Sequence, residues 1–289
     1  MIKKLIAGIG LALALFAVYW GIQMYASNAA EAKVNEVIAK NASIVDVDYK
    51  KVSVDLLRTD VHLFDILVSP VNAKEKISID EIIISDFDDQ SDIPSFLSMT
   101  CNGIGLNIND LGKNAHKLRA LGYNDKLMVN LTTNYTCDKE KRELNIQKLS
   151  LGADDIGKIS VGFRLGNISL EPVEIAMLIF SFPQIIFHEA RIEYQDDSLV
   201  DRLIKFGAEQ KNVSAEDFKK ALIGDIEKEI AKEKDEFAQN ALIEVKKFLA
   251  DPDDFTISAC PSQPQPLGRI MRTHNPKDFI KLLNIHLQS

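Results

Sequence analysis

The chain has 289 residues, 46% of them hydrophobic and 26% charged, so it can bury one large core or two smaller ones and is too apolar for a disordered protein. Its net charge of -8 argues against a nucleic-acid binder, because neutralising phosphates takes a basic patch and no stretch after the N-terminus supplies one. The three cysteines include no CxxC pair, which argues against a zinc ribbon or a thioredoxin-type redox site.

After Lys3 and Lys4 no charged residue occurs from Leu5 to Ala30. As a helix, Leu5 to Tyr25 would rise about 31 Å, the thickness of a hydrocarbon core. Tyr19, Trp20 and Tyr25 fall toward its far end, where amphipathic rings favour an interface, and the two lysines place the N-terminus in the cytoplasm. Ala30-Glu31-Ala32 is a passable small-x-small cleavage site, but it lies far beyond the apolar core, so retention is favoured over cleavage. The expected layout is a cytoplasmic stub and transmembrane anchor over residues 1–30, a single pass, and the bulk of the chain beyond the membrane.

Residues 31–43 are expected to continue as a juxtamembrane helix, with Val34, Val37 and Ile38 on one stripe. An antiparallel β-rich region over 44–168 follows. Between Tyr49 and Pro70 the apolar residues alternate through Val52, Val54 and Leu56, resume at Val61 and Leu63, then continue out of phase at Phe64, Ile66 and Val68. That slip predicts a bulge at Leu63 and Phe64. Ile77 to Asp88 and Cys101 to Ile108 read as strands, and Asp110 to Gly122 as a short helix. Lys126 to Thr136, Arg142 to Leu151 and Lys158 to Leu165 are joined by short polar connections and predict a meander covered on one face only. Cys101 and Cys137 lie in this half; a disulfide between them in an oxidising compartment and two free thiols are both open readings.

Residues 169–289 are expected to be mainly helical and to pack on the sheet. Glu171 to Phe182 reads as an apolar helix and Gln184 to Gln195 as a strand. Three amphipathic helices follow: one capped by Asp197 or Ser198, one opened by Ser214 and Asp217 as a loose capping box, and one ended by Pro252. A strand over Asp254 to Ala259 and a last helix and strand complete an α+β fold.

No local pattern carries chemistry. The five histidines are scattered, no serine sits in a GxSxG elbow, and no Gly-rich loop follows a strand as a nucleotide site requires. The acidic run Asp86 to Asp92 lacks the central glycine and distal glutamate of a calcium loop, and it reads with the other acidic pairs as turns and caps. No catalytic residue, metal ligand or cofactor site is expected. The residues picked out by alternation are Val129, Leu131, Ile159, Val161 and Phe163, which either line an apolar groove or form ordinary core beneath the helices.

The order of an N-terminal apolar helix, "KVNEVIAK" at Lys33 to Lys40 and "VDYKKVSVDLLRTDVHLFDILVSP" at Val47 to Pro70 resembles AsmA-like envelope proteins of Gram-negative bacteria, over roughly residues 1–90. The resemblance implies an apolar sheet surface that holds or conducts lipid acyl chains, a periplasmic placement, and the inner membrane and lipid as partners. The chain is shorter than a lipid-conducting bridge, and its helical C-terminal third departs from that pattern. The expected function is thus a non-enzymatic periplasmic domain, anchored in the inner membrane, that binds lipid or another hydrophobic ligand. The alternative is a scaffold component docking an envelope protein assembly.

Overall fold

Strands form where apolar side chains recur at every second residue, and helices where they recur at every third or fourth. The computed structural model describes residues 24–40, 42–43, 45–71, 76–88, 90–91, 94–124, 126–168 and 178–289. They fall into two compact units, one of residues up to Phe87 together with Ser98–Gly105, the other of Asp88–Leu97 and Leu106–Ser289. These units cut across the expected boundaries at 44 and 168, because the later part of the β-rich region and the helical region pack as one body.

In the first unit, β1 (Val45–Asp48) and β2 (Lys51–Asp55) both pair antiparallel with β3 (Asp60–Pro70), which pairs with β4 (Ile77–Phe87). The core is Val52, Leu63 and Ile66, with Val61, Ile79, Ile82 and Ile84 packed around it. Leu63 stands opposite Ile82 and Ile66 opposite Ile79. The phase slip expected at Leu63 and Phe64 therefore exists, but no residue is inserted. Asp65, with φ 54, carries the change of phase, and the pairing of β3 with β4 keeps one register from Val61 to Val68.

A helix, α1 (24–40), lies against this unit. Ala30 and Val34 pack on the core, the Val54 amide donates to Ser27 Oγ at 3.1 Å, and the Tyr49 hydroxyl donates to Asn35 at 2.7 Å. The helix carries Glu31, Lys33, Glu36 and Lys40, and Glu36 accepts ion pairs from both lysines. These contacts correct the expected anchor. Residues 24–40 dock side-on to a sheet and are too charged to span a bilayer, and among the described residues no helix is long and apolar enough to cross a membrane. The expected transmembrane helix and single-pass inner-membrane placement do not hold, while the helix expected from residue 31 is present to residue 40 and packs on the sheet. Residues 1–23, most of the expected anchor, lie outside the described residues.

In the second unit the strand order is β6 (Lys126–Asp138), β7 (Glu143–Ala153), β8 (Gly157–Gly166), β9 (Ile186–Asp196), β10 (Asp254–Ala259) and β12 (Ile285–Gln288), with the short β11 (Gln265–Pro266) also on β9. All these pairs are antiparallel, so β6 to β8 form the meander that the alternation predicts. The remaining strand, β5 (Phe96–Asn107), gives its middle to the first unit. The helix expected from Asp110 is broken: a 3-10 turn over Ile108–Asn114 kinks at Gly112, φ 57, before α2 (Ala115–Ala120) begins. Ile108, Ala115 and Tyr123 form a buried cluster there, with Leu127, Ile156 and Leu199 against it.

One helical turn, α3 (Leu178–Ser181), precedes β9; residues 171–177 of the expected apolar helix lie outside the described residues. The long helices are α4 (Leu199–Lys211), α5 (Ala215–Lys232) and α6 (Glu236–Ala250), followed by α7 (Leu267–Arg272) and α8 (Pro276–Leu283). Ser214 caps α5 as expected, accepting from the Asp217 amide at 3.0 Å while its hydroxyl donates to the Asp217 carboxylate at 2.7 Å. At α4 the cap differs from expectation: Asp196, and neither Asp197 nor Ser198, accepts the Val200 amide at 3.1 Å. The Ser198 hydroxyl turns instead to the Asp155 carbonyl.

Two changes probe the second unit. Gly157 has φ 134, and a Cβ there would run into the Gln195 carbonyl and approach the Tyr194 hydroxyl at 3.0 Å. Gly157→Ala is expected to cost about 1–3 kcal/mol, read as a lower urea midpoint at unchanged m-value. Asp88 accepts from the Ser95 hydroxyl at 2.6 Å, the Ser95 amide at 2.9 Å and the Gln90 amide at 3.0 Å. The Ser95 hydroxyl, then these amides and Ser91, hold its carboxyl well below the usual carboxylate range. A depressed folded value means the stabilisation is complete above the unfolded pKa of about 4 and is lost as pH falls below it. Asp88→Asn is therefore expected to lower the urea midpoint at neutral pH, with the gap from wild type narrowing in acid.

Candidate functional site

Alternation along the second unit's strands sorts its side chains onto two faces, and cross-strand register aligns them into rows. One row runs Leu131, Leu151, Ile159, Tyr194 and Phe255. The next runs Thr133, Leu149, Val161, Ile192, Ile257 and Leu287. A third runs Tyr135, Ile146, Phe163, Ala190, Ala259 and Ile285. All five sequence-predicted residues thus share one apolar face. Leu131 and Ile159 share the first row, Val161 lies in the second and Phe163 in the third. Val129, opposite Ala153 at the end of β6, is 6% exposed and belongs to the core.

This face is only partly covered. Phe248 of α6 packs edge-on against Tyr194 at 6.1 Å and tilted against Phe255 at 5.5 Å, so α6 sits over the β9 and β10 end of the first row. Beside it Leu149, Leu151, Ile159, Ile192 and Ile257 are 43%, 51%, 45%, 41% and 38% exposed. They adjoin one another on β7 to β10, and with Leu287 the second row continues to β12. Five strands at about 4.8 Å spacing give an apolar shelf about 19 Å long, with α6 as a wall along part of it.

Four of those five exposed residues are absent from the sequence-predicted set. Leu149 and Leu151 are out of phase with Leu144 and Ile146, and only a register shift in β7 between Ile146 and Leu149 brings both pairs to one face. Ile192 and Ile257 sit in strands within the stretch read as mainly helical. Their signal is the alternation Ala190, Ile192, Tyr194 and Phe255, Ile257, Ala259, visible once β9 and β10 are recognised as neighbours.

The tyrosines near the shelf serve the fold. The Tyr194 hydroxyl donates to Asp196 at 2.6 Å and approaches the Ile156 carbonyl at 3.1 Å; burial, then the Asp196 hydrogen bond, raise its pKa well above the usual tyrosine value. The Tyr123 hydroxyl donates to the Asp155 carbonyl at 2.8 Å, and the Arg202 guanidinium stacks on its ring at 4.4 Å. Cys101 and Cys137, the candidate disulfide pair, are both buried. The Cys137 amide donates to the Ser95 carbonyl at 2.6 Å, so the chain beside Cys137 is Ser95. Burial raises the Cys101 thiol pKa, which keeps it protonated and unreactive. Among the described residues no three His, Cys, Asp or Glu side chains are gathered to hold a metal ion.

No curated protein matches the chain. Residues 150–289, just under half of it, are similar to a protein family described as "Uncharacterized protein". The similarity begins inside β7 and takes in β8 to β12, and with them Ile159, Val161, Phe163, Ile192 and Ile257.

Proposed function

We propose that the chain is a non-enzymatic binding module whose second unit holds the acyl chain of a lipid, or a similar hydrophobic ligand, along the shelf of β7 to β12. The observation that carries this reading is the contiguous row of large aliphatic side chains left about two-fifths to one-half exposed on a sheet that α6 covers only over Tyr194 and Phe255. A monomeric protein gains nothing by leaving such a row in water, and contiguous apolar patches of this kind mark binding surfaces. Its length of about 19 Å exceeds the roughly 15 Å that one leaflet's chains span in a bilayer core. The resemblance to AsmA-like proteins falls on the first unit and lends no residue to this shelf; the reading stands on the second unit alone.

The magnitude follows from area. Covering what remains exposed of five aliphatic side chains is worth about 1 kcal/mol each, about 5 kcal/mol together. That corresponds to a dissociation constant of the order of 0.1 mM for a single chain. The test is a titration of the full chain, labelled at isoleucine methyl groups, with monodecanoylglycerol, whose head carries no charge. Ile159, Ile192 and Ile257 methyl signals should move together on one isotherm, and Ile192→Asp should weaken binding about tenfold or more. Shifts that spare these three, or a variant that binds like wild type, would overturn the reading. So would a fall in native mass on Ile192→Asp, since the occupant of the shelf would then be a second copy of the chain.

A further inference from the structure

The opposite face of the same sheet is polar, and it contains a cleft of about 260 Å³ over β7, β8 and β9. Its floor is Gly162, which adds no side chain where a bulge brings the β7 backbone close; a Cβ there would stand 3.2 Å from the Gln147 carbonyl oxygen. Around this floor stand Lys148 from β7, Lys158 and Ser160 from β8, and Arg191 and Glu193 from β9. Alternation puts Lys158 and Ser160 on the side of β8 opposite Ile159 and Val161, so the polar side chains of the cleft stand on the face away from the shelf, and Val161 is the one shelf residue that also borders the cleft.

The charges in the cleft do not balance. Arg191 pairs with Glu193 at 3.3 Å. Lys148 and Lys158 both line the cleft and make no ion pair among the described residues. Burial, then the Lys148 ammonium, hold Lys158 below the usual lysine value. Farther along the face, Arg164 lies between Glu143 at 3.8 Å and Glu189 at 3.1 Å, so the acids there are already engaged. Three cations and one carboxylate leave the cleft with a surplus of two positive charges in a chain whose net charge is -8. Two like charges side by side in a recess are unfavourable unless an anion lies between them, and a surplus of two matches a dianion.

We propose that this cleft binds a phosphate dianion, either free or as a phosphomonoester. Lys148 and Lys158 supply ammonium donors from one side, Arg191 a guanidinium edge from the other, and the Ser160 hydroxyl a further donor between them. Glu193 is paired with Arg191, which offsets the one carboxylate in the lining. The volume holds a phosphate and a few further atoms.

The test is isothermal titration of the full chain at low ionic strength with inorganic phosphate and, separately, with a glycerol phosphomonoester. Saturable one-to-one binding is expected, weakened at least tenfold by Lys158→Ala and by Lys148→Ala. Lys220→Ala, on the exposed side of α5 and paired with Glu216 at 2.7 Å, should leave it unchanged. Lys148 is exposed, so its variant keeps the test valid even where the Lys158 variant fails to fold. Equal affinity for the two ligands assigns the cleft to free phosphate, and tighter binding of the ester assigns it to a phosphorylated organic ligand. No saturable binding of either, or binding indifferent to both lysine variants, overturns the proposal. The apolar shelf plays no part in either titration, so this result and the acyl-chain result stand or fall separately.

Discussion

A one-residue shift of register inside β7 decides which side chains of the second unit share a face. Before it come Leu144 and Ile146, at even positions; after it come Leu149 and Leu151, at odd ones. In an unbroken strand the two pairs would point to opposite sides of the sheet. Gln147 and Lys148 together face the single residue Gly162 of β8, and that extra residue returns the later pair to the apolar side. Pairing with β6 shows the same shift, between Asn134 and Tyr135. Gly162 is the counterpart of the bulge, since a side chain there would press on the Gln147 carbonyl. One local irregularity thus makes the apolar rows continuous and, on the other side, opens the floor of the cationic cleft.

The first unit meets the same difficulty by another route. Leu63 and Ile66 both belong to the core although they are three residues apart, and β4 answers with Ile82 and Ile79, also three apart. Because both strands change phase at the same level, the register is the same on either side of Asp65 and Asp80. Asp65 allows it by taking a left-handed backbone conformation, which aspartate tolerates better than β-branched residues do. A change of phase in the apolar pattern therefore has two structural solutions, an inserted residue or a paired twist, and the partner strand decides between them.

These two cases show what could be read from the sequence. The strands of the meander were legible because each has one buried or apolar side, and alternation records that directly. Alternation alone places Leu131, Ile159, Val161 and Phe163 on one apolar face. Leu149 and Leu151 were not, because the register shift that places them is a property of three strands together. Gly112, which breaks the expected helix near Asp110, and Asp196, which takes the cap expected of its neighbours, are likewise settled by contacts distant in sequence. The anchor reading failed for a related reason. Apolar composition shows that a helix avoids water without showing what covers it, and in the described part the cover is a sheet: Ala30 and Val34 on the core of the first unit, Ser27 hydrogen-bonded to β2.

The two faces of the second unit also explain how a strongly acidic chain can offer a site to an anion. At physiological ionic strength a charge is felt over about 8 Å, so the overall surplus of acid matters less to a recess than the groups lining it. The acids nearest the cleft on that face are occupied, Glu193 by Arg191 and Glu189 by Arg164. On the helices acid is paired at close range as well, Glu216 with Lys220, Asp225 with Lys228 and Glu229 with Lys232, so these groups act as local dipoles more than as free charge. What remains uncompensated near Gly162 is positive. The apolar residues behind it work in the same direction: a sheet backed by aliphatic side chains polarises less than water, and the attraction between the lysines and an anion in the recess is stronger than it would be between the same groups on an open surface.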